Sequence, residues 1–414
     1  MSTEPSWVRH AIWWHVYPLG FTGAEPNARP EIVHRLGQLA SWFDYAVRLG
    51  ASGLALGPVF AAETHGYDTV DHYRIDPRLG DAGDFDRLVH TAHEHGLKVL
   101  LDGVFNHVAR SFTRPELLGR GTFEGHDHLI TLDHDAPATR EYVTDVMCHW
   151  LDRGADGWRL DAAYATPRPF WADVLARVRR RHPDAYLVGE VIHGDYAATV
   201  AETGMHAVTQ YELWKAIWSS LNDRNLFELA WALKRHASYL DSFVPFTFVG
   251  NHDVTRIATR LTDQRLLPHA LAVLFTVAGT PAVYYGDEQA FRGVKEDRAG
   301  GDDAVRPAFP EEPGGLAPWG APTFRLHQDL IGLRRRNPWL HEARTTATEL
   351  TNTAAVLDTT NGTERLTTVL NLADAPATLP VPQGKALLGE VELRGGRAVL
   401  PAHGWAVLGQ PPVR

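Results

Sequence analysis

A chain of 414 residues, 44% hydrophobic and 22% charged, can bury a substantial core and has the make-up of an ordinary globular protein. Its formal net charge of -10 argues against the basic face that nucleic acid requires, and no apolar run is long enough to span a bilayer, so neither nucleic acid nor membrane is an expected partner. The one cysteine, Cys148, permits no intramolecular disulfide, and the opening Met1-Ser2-Thr3-Glu4-Pro5 has no leader-like character, so a cytoplasmic protein is expected.

From Ile12 onward, short apolar runs alternate with amphipathic stretches, the rhythm of βαβ units around a parallel sheet. A strand is expected at Ile12–Tyr17, a helix over Glu31–Leu49, a strand at Gly53–Leu56 and a helix over Asp84–His95. The third strand, Lys98–Phe105, leads into a polar excursion, Val108–Pro137, which reads as a small subdomain or extended loop. Helix Ala138–Arg153, strand Gly157–Leu160, helix Phe170–Arg181 and strand Tyr186–Val191 then restore the rhythm. Strands follow at Ala207–Tyr211, Phe246–Val249 and Ala282–Tyr285, with helices over Leu226–Leu240 and His269–Val277. Apolar positions in these helices recur three and four apart, and Gly50, Gly96 and Gly154 stand where helices should stop. A Gly-, Pro- and Asp-rich loop, Phe291–Gly320, precedes a last helix, Thr323–Arg336, which ends before Asn337-Pro338.

Eight strands alternating with helices predict a closed TIM (β/α)8 barrel, with an open doubly wound sheet as the competing arrangement. Beyond Trp339 the pattern changes to short β-branched runs, Ala354–Thr359, Leu366–Leu372 and Ala398–Leu400, as in an antiparallel sandwich. The expected organisation is a barrel over residues 1–338, interrupted by a short domain B at 108–137, and an all-β C-terminal domain over 339–414.

Barrel active sites lie at the C-terminal ends of the strands, so the polar residues there are the ones to read. Strand three ends in Asp102-Gly-Val-Phe-Asn106-His107, strand four in Arg159-Leu-Asp161, strand five in Glu190, and strand seven runs into Asn251-His252-Asp253. Carboxylates gathered in one pocket repel one another, a poor arrangement for stability. It is what glycoside hydrolysis requires, one carboxylate attacking the anomeric carbon while a protonated one feeds the leaving oxygen. Arg159, two residues before Asp161, emerges on the same side of its strand and would keep Asp161 ionised. Glu190 has to hold a proton, so surroundings that raise its pKa are expected. Each residue alone has a plainer reading: an ion-paired Glu, a hydrogen-bonded structural His, an Asn-His-Asp helix cap. Their joint occurrence, in this order and at strand ends, is hard to explain as structure alone.

The segments Asp102-Gly-Val-Phe-Asn-His107, Gly157-Trp-Arg-Leu-Asp161, Val188-Gly-Glu190 and Phe248-Val-Gly-Asn-His-Asp253 carry a family resemblance. So do His65-Gly-Tyr-Asp-Thr-Val-Asp71 with Ile75-Asp-Pro77, and Gly279-Thr-Pro-Ala-Val-Tyr-Tyr-Gly-Asp-Glu288. Together, along nearly the whole chain, they resemble the α-amylase family, glycoside hydrolase family 13. The resemblance implies Asp161 as nucleophile, Glu190 as general acid/base and Asp253 as the carboxylate that holds substrate hydroxyls. It implies His107, His252 and Arg159 as a polar clamp around the glucose at the cleavage point, and Tyr67 stacked on that ring. Asp68 and Asp102 would support the site from behind, and Arg306 resembles a loop arginine that binds sugar further up the cleft.

In many relatives a calcium ion joins the barrel to the excursion after strand three. Asn106 matches one ligand, but Thr131 stands where the pattern has an acidic one, so no cofactor is expected to be required, with a calcium held at Asn106 as the alternative. Ala162-Ala163-Tyr164-Ala165 replaces the Lys-His pair of endo-acting starch amylases. The expected substrate is therefore a malto-oligosaccharide or a small cyclic or branched α-glucan, cleaved at α-1,4 bonds with retention. A transglycosylase or isomerase of the same family, trehalose synthase-like or a glucosyltransferase, is the alternative.

Overall fold

The computed structural model describes residues 4–298 and 300–409. The chain forms two compact units, one from Ser2–Thr209 with Arg306–Ala317, the other from Gln210–Val305 with Pro318–Arg414.

The first unit holds strands β1 (Trp13–Val16), β2 (Gly53–Leu56), β3 (Lys98–Gly103), β4 (Gly157–Leu160), β5 (Tyr186–Gly189) and β6 (Ala207–Val208). They pair in parallel, each beside its predecessor in sequence. A doubly wound sheet would instead reverse its strand order around the first strand. These strands are apolar on both faces, as parallel strands covered by helices must be, and Trp13, Leu54, Leu100, Trp158 and Val188 are buried. Gly157 is needed for the close fit, because a Cβ there would lie 2.1 Å from the Tyr186 carbonyl oxygen.

Helices Ala82–Glu94, Pro137–Asp152 and Arg168–Arg181 stand within two residues of their expected bounds. The first begins at a reciprocal cap between Asp81 and Asp84. Two expectations differ. Glu31–Leu49 is not one helix but two short ones, Leu36–Ala40 and Phe43–Leu49. The N–H groups of Val33, Arg35 and Leu36 pair with the carbonyls of Pro77 and Leu79, which holds that stretch out of a helix. An unanticipated helix, Tyr196–Thr203, starts at an Asp195 side-chain cap and ends at left-handed Gly204. The excursion after β3 is a three-stranded antiparallel sheet, with His126–Leu132 between His107–Ala109 and Leu118–Phe123. Its hairpin turns through Glu124 and Gly125, both at positive φ (49° and 79°), the signature of a two-residue type I′ turn.

The second unit holds the parallel strands β7 (Phe246–Phe248) and β8 (Thr280–Tyr284), with helices Tyr211–Asn222, Leu226–Tyr239, Leu267–Thr276 and Ala321–Arg336. The expected strand to Tyr211 stops at Val208, because the Gln210 side chain caps a helix that begins at Tyr211. Buried Arg334 donates to the carbonyls of Phe275, Val277 and Gly279, where helix Leu267–Thr276 ends and β8 begins. Toward the C-terminus lie a five-stranded and a three-stranded antiparallel sheet. Val356, Val369 and Leu408 of the first meet Leu379, Ala398 and Leu400 of the second in one apolar core, which makes a sandwich. The chain thus has the fold class read from its sequence, a TIM (β/α)8 barrel with an all-β C-terminal sandwich. No helix among the described residues is long and apolar enough to cross a membrane.

Candidate active site

Strand register builds the centre of the site. Asp102 on β3 lies directly across from Arg159 on β4, and Arg159 from Val188 on β5. Beyond the strand ends the ladder continues, with the Asp161 N–H donating to Gly103 and the Glu190 N–H to Leu160. Arg159 therefore stands among three carboxylates. Its Nη1 lies 2.8 Å from Asp102 Oδ1 and 2.8 Å from Asp161 Oδ1, and its Nη2 2.8 Å from Glu190 Oε1. All three acids are buried, so the guanidinium is the cation that makes their proximity tolerable.

Ala162, the residue after Asp161, is held in the left-handed region (φ 43°), rare for a residue with a Cβ. Its N–H donates to Glu190 Oε2 at 2.9 Å. Of the influences expected on Glu190, burial is present, but Arg159 and Ala162 supply donors that favour the carboxylate. Burial, opposed by Arg159 and reinforced by the charges of Asp161 and Glu190, pushes Asp102 from 3.8 up to about 7. A carboxyl with a raised folded-state pKa binds more protons folded than unfolded, so it costs stability as pH rises from 3.8 to about 7. Asp102→Asn is accordingly expected to flatten the fall in thermal stability across that window, as melting curves from pH 4 to pH 8 would read.

Around this centre the same unit brings Tyr67, Asp68, His107 and Arg306. The Tyr67 hydroxyl donates to Asp102 Oδ2 at 3.1 Å. Buried Asp68 accepts from Thr64 at 2.5 Å. Their loop is fastened by Arg78, buried and ion-paired with Asp76, which donates to the carbonyls of Glu25, Pro26 and Thr64. Arg306 lies over the rings of Tyr17, at 4.7 Å, and Tyr67, at 5.8 Å. His107 is pushed down to about 4, first by burial, and so stays neutral. The ring of Phe123 stacks on it at 4.2 Å and 11°.

Asn106 has a partner on each side of its amide. Its Oδ1 accepts from Thr166 at 3.3 Å and its Nδ2 lies 3.2 Å from His107 Nδ1. Thr131 spends its hydroxyl on the Gly121 carbonyl. Among the described residues the one cluster with metal-like spacing is His34, Asp81 and Asp84, whose aspartates are the helix cap already described.

His252 and Asp253 belong to the second unit, after β7. His252 Nε2 lies 2.9 Å from Asp253 Oδ2, and the Asp253 N–H donates to Asn251 Oδ1 at 2.9 Å. Asn251 in turn donates to the Tyr211 hydroxyl at 2.9 Å. His252 is buried, whereas the Asp253 side chain keeps 31% of its surface exposed, open enough to meet a ligand.

Sequence reasoning passed over Phe123 and Glu124, and met Tyr164 only within the run that replaces a Lys-His pair. The local signal available was Phe123-Glu-Gly-His126, a two-residue turn between two strand-like runs. Nothing local pairs that turn with Tyr164, whose hydroxyl donates to Glu124 Oε1 at 2.7 Å.

A parallel barrel with charged and aromatic groups gathered at its strand ends belongs to the class of enzyme-like α/β barrels, and comparison narrows the class. The family model for the alpha amylase catalytic domain matches residues 16–116 and 123–361. The chain belongs to the α-amylase family. A cyclomaltodextrinase of Bacillus sp is 29% identical over 340 residues, which are 70% of this chain and 61% of that protein. The chain thus spans about three-fifths of the length of that relative. Cyclic α-maltosyl-(1→6)-maltose hydrolase from Arthrobacter globiformis shares the fold at a TM-score of 0.84, with 24% identity over 98% of this chain and 100% of that one. A debranching enzyme of Nostoc punctiforme is similar at a TM-score of 0.81, with 25% identity over 99% of this chain and 100% of that one.

Proposed function

We propose that the chain is a retaining α-glycosidase that hydrolyses α-1,4-glucosidic bonds in malto-oligosaccharides or small cyclic or branched α-glucans. The observation that carries this reading is the single guanidinium of Arg159 bridging Asp161 and Glu190 at neighbouring strand ends. Asp161, the ionised partner, attacks the anomeric carbon, while a proton from Glu190 passes to the leaving oxygen as the C1–O bond breaks. Glu190, now the base, takes a proton from water, which displaces Asp161 and restores the α configuration. Asp253 and His252 take the family's role of holding sugar hydroxyls. Tyr67 and His107 bound the reacting ring, and Arg306 meets sugar further along. The printed names of the relatives, a cyclomaltodextrinase, a cyclic maltosyl-maltose hydrolase and a debranching enzyme, support this substrate class. The reading sets the enzyme in the cytoplasm, in keeping with its one buried thiol, Cys148.

The test is time-resolved product analysis on maltose, maltotriose, cyclodextrin, starch, isomaltose, trehalose and sucrose. Shorter α-glucosides released first as α-anomers are expected, at a rate that chelators leave unchanged. Longer or isomeric sugars would replace hydrolysis by transglycosylation or isomerisation. Initial β-anomers would overturn the retaining mechanism.

A further inference from the structure

The hairpin tip of the excursion meets two side chains, His107 and Tyr164. Phe123 lies flat on His107, and the next residue, Glu124, accepts the Tyr164 hydroxyl at 2.7 Å. Tyr164 follows Asp161 on the loop after β4, and its ring meets that of His193, on the loop after Glu190, at 5.9 Å. The leaving sugar must depart beside the group that protonates its oxygen. The loops that follow the two reacting carboxylates are thus joined, through Tyr164, to a carboxylate delivered from a third segment.

The choice of residue at the tip is unusual. A type I′ turn favours Asn, Asp or Gly at its first central position, and Glu at φ 49° is a departure from that preference. Glu has the reach to accept from Tyr164, which the shorter Asn lacks. Burial, with Glu124, Glu190 and Asp161 nearby, pushes the Tyr164 phenol up, so it remains a donor over the working pH range.

We propose that Glu124 and Tyr164, beside the loops that follow Asp161 and Glu190, form an acceptor-side wall that selects short leaving groups. This rests on Asp161 and Glu190 being the reacting pair. The wall bounds the space open to the departing sugar: a short aglycone packs on the Tyr164 ring, and a long one meets the latched hairpin.

The experiment compares kcat/KM for maltoheptaose and maltotriose in wild type, Glu124→Asn and Tyr164→Phe. Asn suits the turn, so Glu124→Asn is expected to melt no lower than wild type; Tyr164→Phe keeps the ring and removes only the hydroxyl. The heptaose-to-triose ratio is expected to rise about fivefold in both, the scale of one hydrogen bond. A ratio within about twofold of wild type in either variant overturns the wall, since a purely structural role lowers both substrates together. Wild-type enzyme inert on every α-glucoside removes the glycosidase reading and this inference with it, whereas active wild type with an unmoved ratio removes the inference alone.

Discussion

Asp161→Asn is expected to lower turnover by about four orders of magnitude or more, the scale seen when a covalent nucleophile is lost. The amide keeps the shape of the carboxylate and can still meet Arg159, so folding should survive while attack on the anomeric carbon does not. The Asp161→Ala and Glu190→Ala pair separates the roles when azide and an activated α-glucoside are supplied. With Asp161 shortened, azide enters from the nucleophile's face and one inversion gives a β-glycosyl azide. With Glu190 shortened, Asp161 still forms the glycosyl-enzyme, azide displaces it, and two inversions give the α product. The same anomer from both variants would refute the assignment.

Arg159→Met should be the most damaging change to the fold itself. It leaves Asp102, Asp161 and Glu190 buried around a thioether, and removing one partner of a buried ion cluster costs about 3–5 kcal/mol. The sign of the pH dependence follows. Without the cation, burial and mutual repulsion favour protonated carboxyls in the folded state, which then binds more protons than the unfolded chain, so stability falls as pH rises. Denaturant melts should therefore show a larger deficit at pH 8 than at pH 5. An equal deficit at both would mean that the acids are neutralised some other way.

Much of this was legible in the sequence, for identifiable reasons. Strands β2 and β4 match their expected limits because Gly53 and Gly157 open them and apolar residues, broken in β4 only by Arg159, fill them. Asp102, Arg159 and Asp161 could be read as neighbours because a strand fixes side-chain direction by period two and a parallel barrel sets consecutive strands side by side. The rest depended on partners remote in sequence. Glu31–Leu49 has helical spacing, but the carbonyls of Pro77 and Leu79 claim its first N–H groups. Ala162 carries no local mark of a left-handed conformation, so the donor it offers Glu190 was invisible. The Glu124–Tyr164 contact joins segments 40 positions apart.

Arg334 has a consequence for how such an enzyme can diversify. Burial pulls its guanidinium down to about 9, and its hydrogen bonds to Phe275, Val277 and Gly279 rivet the last helix of the barrel to the entrance of β8. The stretch Phe291–Gly320 runs from the exit of β8 to the start of that helix, so both of its ends are held by framework. The closure entropy of such a span grows only with the logarithm of its length, about 0.6 kcal/mol per doubling. The span is also pinned midway, where the Val305 carbonyl accepts from Arg256 and Tyr284 and buried Phe309 packs on Phe21 and Trp42. Insertions should therefore be thermodynamically cheap in its mostly exposed turn at 311–315, which makes that turn a natural place for substrate range to drift while the framework stays fixed.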